Sequence, residues 1–137
     1  MAQTDASVAA LEVCAYAIPT AGSEADGTFR WNKTTLVVVF VEGGGRKGIG
    51  YTYADAATAA LIRELATIVV GSDAFETPAI VVRLAHAVRN LGRPGIASMA
   101  LSAIDAALWD LKAKLLDLPL VVLLGRARDS LPLFGSG

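Results

Sequence analysis

Residues 100–115 read ALSAIDAALWDLKAKL, and this segment has the strongest helix pattern in the chain. Its large apolar side chains recur at steps of three and four residues, which places them along one face of an α-helix. These side chains belong to Leu101, Ile104, Leu108, Leu111 and Leu115. Asp110 and Lys114 have the i,i+4 spacing of a favourable ion pair. An apolar face of this length requires a partner surface along the whole helix.

The first third of the chain predicts that partner surface as a β-sheet. Residues 8–18 alternate between two strand faces, and Pro19 is expected to end the strand because proline has no amide hydrogen to donate. Residues 20–28 are rich in Gly, Ser, Glu and Asp, which predicts a mobile loop. Residues 34–42 are strongly β-branched, and residues 47–52 return after a glycine turn. The expected product is a three-stranded antiparallel meander.

Two further helices are predicted between the sheet and the helix described first. Residues 54–70 are rich in alanine with a helical apolar rhythm, and this helix is expected to be capped by Asp55 and stopped at Gly71. The Thr77 hydroxyl is expected to cap a second helix that runs to about Asn90, with proline following the cap. The predicted fold class is therefore α+β, a three-stranded antiparallel meander followed by a helical bundle.

The last twenty residues allow more than one interpretation. Residues 119–124 are apolar throughout, and they form either a short buried helix or a strand, because periodicity does not separate the two in so short a run. Residues 131–134 (LPLF) have the composition of a new strand. A strand at this point would lie outside the meander and bundle.

Composition limits the classes of function. Apolar residues make up 54% of the chain and charged residues 18%, which excludes a mainly disordered protein. A net charge of −1 argues against a nucleic-acid partner, and the longest apolar runs are far shorter than the ~20 residues that cross a membrane. Cys14 is the only cysteine, so no internal disulfide forms, and no secretory signal is visible. We expect a cytoplasmic protein.

Chemical motifs are scarce. Residues 43–48 fit the pattern GxGxxG, but a strand follows instead of a helix, so a hairpin turn is favoured over a dinucleotide site. Lys112 and Lys114 point to different sides of their helix, and His86 has no metal-ligand partners at a suitable spacing. The carboxylates do not converge on one site. The residues by themselves predict neither a catalytic centre nor a metal site.

Residues 93–125 contain the run RPGIASMALSAIDAALWDLKAK, followed by Pro119-Leu120 and by Leu-Leu-Gly ending at Gly125. Small residues, an acid, Ala-Leu, a second acid and a basic residue follow one another in this order. The segment resembles the amino-terminal signature of the mandelate racemase/muconate lactonizing enzyme branch of the enolase superfamily. The upstream order of strands and helices agrees, so the resemblance extends over essentially the whole chain.

This resemblance implies that residues 1–128 are a capping domain and that residues 129–137 begin a barrel domain, truncated at its first strand. In the family the barrel holds the catalytic lysine motif, the acidic ligands of magnesium and a second base. Catalytic and metal-binding residues are therefore expected to be absent from this chain, and the chain to be inert alone. Mg²⁺ is expected for the full-length enzyme. The expected partners are the barrel domain of the same enzyme, a small carboxylate substrate and further copies of the protein in a homo-oligomer.

Two cap loops close over the substrate in similar enzymes, and by position they match residues 18–28 and 48–53. The candidate substrate contacts at these positions are Pro19, Thr20, Tyr51 and Tyr53. Tyrosine offers an apolar ring together with a hydroxyl that hydrogen-bonds a polyol or an acid. Alternatively, a tyrosine packs only against the helices of its own domain.

The resemblance implies abstraction of the proton α to a carboxylate, with magnesium stabilising the product of that step. An acid-sugar dehydratase or a racemase/cycloisomerase is expected. The alternative hypothesis is a free-standing interaction module that self-associates without catalysis.

Overall fold

A computed structural model describes residues 6–135 of the chain. It contains the predicted three-stranded meander. Its strands are β1 (Val8–Ala25), β2 (Arg30–Gly43) and β3 (Arg46–Tyr53). They form one antiparallel sheet in the order β1-β2-β3, so β1 and β3 are edge strands. This arrangement confirms the predicted fold class.

The helices follow the sheet in the chain. They are α1 (Ala57–Val69), a short 3₁₀ turn (Ala74–Glu76), α2 (Thr77–Ala87), α3 (Ile96–Leu115) and α4 (Leu120–Leu124). The apolar run at residues 119–124 is therefore helical, but none of its helical residues is buried. The helices α1 and α3 pack against the sheet, and α2 packs against both of them.

Pro19 does not end the first strand. It pairs with Lys33, and β1 continues through an irregularity to the pairs that Glu24 and Ala25 form with the start of β2. The expected end was wrong because β1 lies at the edge of the sheet, where a missing N–H group costs no ladder hydrogen bond if it faces away from the neighbouring strand. The expected loop at residues 20–28 is thereby reduced to residues 26–29.

The sheet lies directly on the backbone of α3. A Cβ atom on Gly50 would lie 2.6 Å from the amide nitrogen of Ala107, and one on Gly48 would lie 2.6 Å from that of Leu111. Both atoms would lie closer still to helix carbonyl oxygens. The two glycines alternate along β3 and so share one face. Their missing side chains are what allows strand and helix to approach each other.

The core lies between the sheet and the helices. One face of β2 contributes Val37, Val39 and Val41, all completely buried. The helices contribute the residues that fill the space opposite, among them Ile62, Ile80, Leu84, Ile104, Leu108 and Leu111. The apolar face predicted for α3 is thus paired with a partner surface along most of its length.

The observed helix ends agree only in part with those predicted from the sequence. The carboxylate of Asp55 accepts a hydrogen bond from the amide of Ala57 at 2.8 Å, which agrees with the predicted cap. The Thr77 hydroxyl is not a cap, because it donates to the Ala74 carbonyl oxygen at 2.8 Å. Helix α2 ends at Ala87, three residues before the predicted end.

The predicted strand at residues 131–134 is not formed. The side chains of Leu133 and Phe134 are 93% and 91% exposed. A strand requires a neighbour with which to pair its backbone, and the pairings of β1, β2 and β3 do not include this segment.

Candidate functional site

The sheet has a face that the helices leave uncovered, which we call the open face. It consists of alternate residues of the three strands: Cys14, Tyr16, Ile18, Leu36, Val38, Phe40, Ile49, Tyr51 and Tyr53. The register places Tyr16, Leu36 and Tyr53 in one row, and Cys14, Val38 and Tyr51 in the next. Glu12 shares the row of Phe40 and Ile49, and Glu42 and Lys47 occupy the next row, so the charged side chains of this face lie toward one end.

Tyr51 and Tyr53 form an aromatic pair at the end of β3. Their ring centroids are 6.2 Å apart, and the rings meet edge to face. The two residues are 60% and 61% exposed. The two tyrosines predicted to bind substrate therefore touch each other and are accessible to a ligand. They do not pack against the helices of the domain.

Pro19 and Thr20 lie on a different part of the sheet. Strand β3 pairs with β2 only as far as Leu36, so residues 17–35 continue as a two-stranded hairpin, which we call the projecting arm. Pro19 lies three residues beyond the row of Tyr16 and Tyr53, about 10 Å along the strand. By strand alternation its side chain faces the opposite side from the tyrosines. Within this chain the four candidates therefore do not form one cluster.

The tip of the projecting arm is held by Asp26. One oxygen of its carboxylate accepts hydrogen bonds from the amides of Thr28 and Phe29, both at 2.7 Å, and from the Thr28 hydroxyl at 2.9 Å. The Asp26 amide donates in turn to the Phe29 carbonyl oxygen at 3.0 Å. The amide of Thr28 is the largest cause that lowers the pKa of Asp26, followed by that of Phe29. The arm therefore ends in a hydrogen-bonded turn.

An aromatic pair next to this tip was missed in the sequence. Phe29 and Trp31 stack with centroids 6.2 Å apart, and the Trp31 indole N–H donates to the Glu24 carboxylate at 2.7 Å. The signal was present as two aromatic residues at i,i+2 at the start of β2, but it becomes meaningful only when the hairpin pairing is known. The exposed Phe29 ring and the partly buried Trp31 ring add an apolar surface to the projecting arm.

The acidic and basic residues of α3 hold the helix to the sheet. Asp110 accepts a hydrogen bond from the amide of Ile49 at 2.8 Å and forms the predicted ion pair with Lys114 at 2.7 Å. The ammonium group of Lys114 also donates to the Lys47 carbonyl oxygen at 2.8 Å. Two of these three interactions use backbone groups of β3, the Ile49 amide and the Lys47 carbonyl oxygen. The Asp110–Lys114 pair predicted from the sequence therefore has a structural role, since it attaches α3 to the edge of β3.

Lys112 lies on another side of the helix, as predicted. Its ammonium group donates to the Phe75 carbonyl oxygen at 2.7 Å and lies 5.0 Å from the centroid of the Trp109 ring. Burial raises the pKa of Asp105, and a hydrogen bond from Trp109 partly opposes that shift. Lys112, Asp105 and Trp109 belong to α3, which packs on the other side of the sheet, so they lie away from the open face.

No metal site is formed by the described residues. Among residues 6–135 no three or more His, Cys, Asp or Glu side chains come together in a group that holds a metal ion. The single histidine, His86, lies on the exposed side of α2, where its Nε2 atom is 2.7 Å from the Arg89 guanidinium. This part of the chain therefore does not fit Mg²⁺. No helix among the described residues is long and apolar enough to span a membrane.

Fold and site together define a small α+β domain that exposes an edge-to-face pair of tyrosines on the open face of its sheet. The chain matches the family model described as mandelate racemase / muconate lactonizing enzyme, N-terminal domain, over residues 23–125. It therefore belongs to this family, a branch of the enolase superfamily, and corresponds to the N-terminal domain of its members.

Two curated relatives act on acid sugars, according to their names. L-talarate/galactarate dehydratase of Salmonella typhimurium is 38% identical over 96 residues, which are 67% of this chain and 24% of the relative. The 3,6-anhydro-alpha-L-galactonate cycloisomerase of Streptomyces coelicolor is 34% identical over 108 residues, 74% of this chain and 30% of the relative. The chain thus spans about a quarter to a third of the length of these proteins.

Solved structures show the same fold. A mandelate racemase/muconate lactonizing enzyme-like protein from Rubrobacter xylanophilus is 51% identical, with a TM-score of 0.82 over 85% of this chain and 33% of that one. L-talarate dehydratase from Polaromonas, solved in complex with Mg and L-glucarate, is 29% identical, with a TM-score of 0.80 over 90% of this chain and 36% of that one.

Proposed function

We propose that this chain is the substrate-covering cap of an enzyme that abstracts the proton α to the carboxylate of an acid sugar. The observation that supports it is the exposed Tyr51–Tyr53 pair beside the projecting arm, on an N-terminal domain whose relatives are acid-sugar dehydratases and cycloisomerases. The catalytic groups belong to a barrel domain outside the described residues. By itself the chain is inert.

The chemical role of the cap is recognition and exclusion of water. The Tyr51 and Tyr53 rings cover the reacting carbon with an apolar surface, and their hydroxyls hydrogen-bond the hydroxyls or carboxylate of the substrate. Pro19 and Thr20 approach the same substrate from the projecting arm when the barrel brings both parts to its open end. A solved relative contains Mg²⁺, and in the enzyme proposed here the barrel domain would hold that ion.

Dehydration of a sugar diacid is the favoured reaction, because the relatives include a talarate/galactarate dehydratase and a talarate dehydratase solved with L-glucarate. Cycloisomerisation of a related sugar acid is the second candidate, and the cycloisomerase relative supports it. Both reactions begin with removal of a proton next to a carboxylate, so the cap would recognise similar substrates in either case.

A chimera tests this function. The chain replaces the matching N-terminal region of the Salmonella dehydratase, and turnover of galactarate is measured with and without Mg²⁺. We expect magnesium-dependent turnover, and for Tyr53→Phe a rise in KM of about tenfold, the effect of one lost hydrogen bond of ~1.4 kcal/mol. Val82→Ala on the outer side of α2 is the matched control and leaves KM unchanged.

Two results would contradict the proposal. One is a folded chimera without turnover of any acid sugar. The other is a KM that neither Tyr53→Phe nor Tyr51→Phe changes. Turnover by the 137-residue chain alone would show that the reacting groups lie within it.

A further inference from the structure

We infer that the chain forms a two-fold dimer in which the end of each projecting arm lies against the C-terminal end of α2 in the other copy. We call residues 24–31 the arm tip. This contact does not depend on the proposed function, because it uses neither the open face nor the tyrosines on it.

The arm tip presents aromatic and acidic side chains on one face. Glu24 and Trp31 are direct partners in the pairing of β1 with β2, so their side chains lie on the same face. Phe29 stacks on Trp31 and shares that face, whereas Arg30 points to the other face by strand alternation. All residues from 21 to 30 are exposed, and Phe29 is 66% exposed. The helices of the domain therefore leave most of this face uncovered.

This face of the arm tip is not on the substrate side of the sheet. Trp31 is an even number of residues from Val37 and Val39, whose side chains are buried against the helices, so it lies on the helical side and the tyrosines lie on the other. The row of Trp31 is also five residues beyond that of Tyr53, or ~17 Å along the strand. A six-carbon acid sugar on the tyrosines does not reach so far, since its five C–C bonds of ~1.5 Å span less than about 8 Å.

The C-terminal end of α2 carries the opposite charge. Residues 77–104 contain three arginines and no acidic residue. The last two, Arg89 and Arg93, are exposed, and neither forms an ion pair within the described part of the chain. The Arg89 guanidinium group donates to Nε2 of His86 at 2.7 Å, which leaves its other N–H groups available to a carboxylate. We call the surface formed by His86, Arg89, Leu91 and Arg93 the basic end of α2.

The charges of the two surfaces are complementary. Glu24 and Asp26 supply two carboxylates at the arm tip, and hydrogen bonds from backbone amides lower the pKa of Asp26, which keeps it ionised at neutral pH. The nearest basic residue on the same face of β2 is Lys33, two residues toward the base of the arm. Arginine and carboxylate groups pair through two parallel hydrogen bonds, which are stronger than those between neutral groups. The guanidinium groups of Arg89 and Arg93 are therefore matched partners for the carboxylates of the tip.

Apolar side chains accompany the charges on both surfaces. Phe29 is exposed at the arm tip, and Leu91, which is 63% exposed, lies between Arg89 and Arg93 in the sequence. Contact between Phe29 and Leu91 removes both side chains from water. Arginine also stacks on aromatic rings, so the aromatic pair of the tip favours the same partner as its carboxylates do.

A second copy of the chain is the occupant that these surfaces select. The arm tip is exposed, so it does not lie on the basic end of α2 in its own chain. Helix α2 packs against α1 and α3, on the same side of the sheet as the aromatic face of the tip. A two-fold axis between two helical sides therefore places each tip on the other copy and forms the contact twice. The open face remains free in both copies.

Charge reversal in the 137-residue chain tests this contact. Glu24→Arg makes the arm tip basic, and Arg89→Glu brings a carboxylate to the end of α2. Sedimentation velocity over a range of protein concentrations measures dimerisation. We expect each variant alone to dimerise about tenfold more weakly or less than the unchanged chain, because like charges face each other in both contacts. An equimolar mixture of the two variants should regain the dimer, because both contacts then join opposite charges.

Arg46→Glu is the matched control for the charge reversals. Arg46 is exposed at the turn between β2 and β3, at the opposite end of the sheet from the projecting arm. Its reversal should leave dimerisation unchanged. Thermal melting followed by circular dichroism establishes that each variant is folded.

A photoreactive p-benzoylphenylalanine at position 29 provides a second measurement. Unlabelled chains are mixed with chains labelled with heavy nitrogen, the mixture is irradiated, and mass spectrometry identifies the linked peptides. We expect links that join a light chain to a heavy chain and lead from position 29 to residues 86–93. The same probe at position 46 should give no link to that segment.

A chain that stays monomeric at every concentration would overturn the inference. A dimer that neither charge reversal weakens would do the same, as would links from position 29 to its own chain alone. If Ile49→Lys abolishes the dimer and Arg89→Glu does not, the interface is the open face, and the inference is wrong.

Discussion

At the scale of single residues, Asp110 holds together parts of the chain that are far apart in sequence. Its carboxylate binds the amide of Ile49 and the ammonium group of Lys114. Asp110→Ala leaves the backbone N–H group of Ile49 without its charged acceptor. We expect the free energy of unfolding to fall by about 2 kcal/mol. Urea denaturation measures the loss.

Asp110→Asn is the matched control for this prediction. The amide oxygen still accepts from Ile49, whereas the ion pair with Lys114 is lost, and a half-exposed ion pair contributes ~1 kcal/mol or less. The asparagine variant should therefore be clearly more stable than the alanine variant. Equal losses would mean that the hydrogen bond to Ile49 contributes nothing.

The raised pKa of Asp105 predicts a pH dependence. Burial makes the folded state bind this proton more tightly than the unfolded state does, so stability from Asp105 is present below the ordinary Asp pKa of 3.8 and is lost as pH rises through the folded value. At pH 7 the charged group therefore lowers stability. Asp105→Asn keeps an acceptor for Trp109, and we expect it to raise the thermal midpoint at pH 7 but not at pH 3. The same gain at both pH values would show that titration is not the cause.

At the scale of secondary-structure elements, the contact between β3 and α3 depends on two glycines. A Cβ on Gly50 meets helix backbone, at 2.6 Å from the Ala107 nitrogen, and backbone atoms cannot rotate away as a side chain does. Gly50→Ala must therefore separate strand from helix, with an expected loss of about 3 kcal/mol or more. Chemical denaturation with circular dichroism measures it.

Gly27 provides the comparison for Gly50→Ala. It lies in the turn of the projecting arm, and an added Cβ has no neighbour within 4 Å. Gly27→Ala should change stability by no more than ~0.5 kcal/mol. A similar loss in both variants would point to a general effect of glycine replacement rather than to close packing.

Strand β1 shows why the extent of an element depends on its neighbours. The sequence around Pro19 predicts an end, and in a central strand that prediction would hold. The structure puts β1 at the edge, where the strand passes through proline and ends only at Ala25. Whether a strand is central or at an edge depends on the other strands of the sheet, so the residues around Pro19 do not by themselves indicate it.

At the scale of the whole molecule, one core joins the sheet to the helices. Leu108 is completely buried in it between β-strands and helices. Leu108→Ala should cost about 2–5 kcal/mol, and because one core supports both layers, the whole domain should unfold at lower urea in a single transition. Circular dichroism and tryptophan fluorescence should give coincident curves.

Leu133→Ala is the control at this scale. The side chain is 93% exposed, so its removal should leave the urea midpoint unchanged. Two separate transitions for Leu108→Ala would contradict a single core and would divide the domain into independent parts.

The candidate site was only partly accessible from the sequence. The end of the third strand was identified, and the structure shows Tyr51 and Tyr53 there as an exposed pair. Their contact with a substrate remains a prediction, as do the roles of Pro19 and Thr20, the domain boundary at residue 128, the homo-oligomer and the cytoplasmic location. The Phe29–Trp31 pair was missed because its stacking depends on the hairpin register.

The sequence by itself determined the order of strands and helices, the buried face of α3 and the membership of the family, because these depend on spacing along the chain. The tertiary structure alone decided which strand is an edge, how far the projecting arm extends and that LPLF at residues 131–134 stays unpaired. It also decided which sheet face remains open. The physical reason is that pairing, register and burial are relations between distant segments, and each requires both partners to be in place.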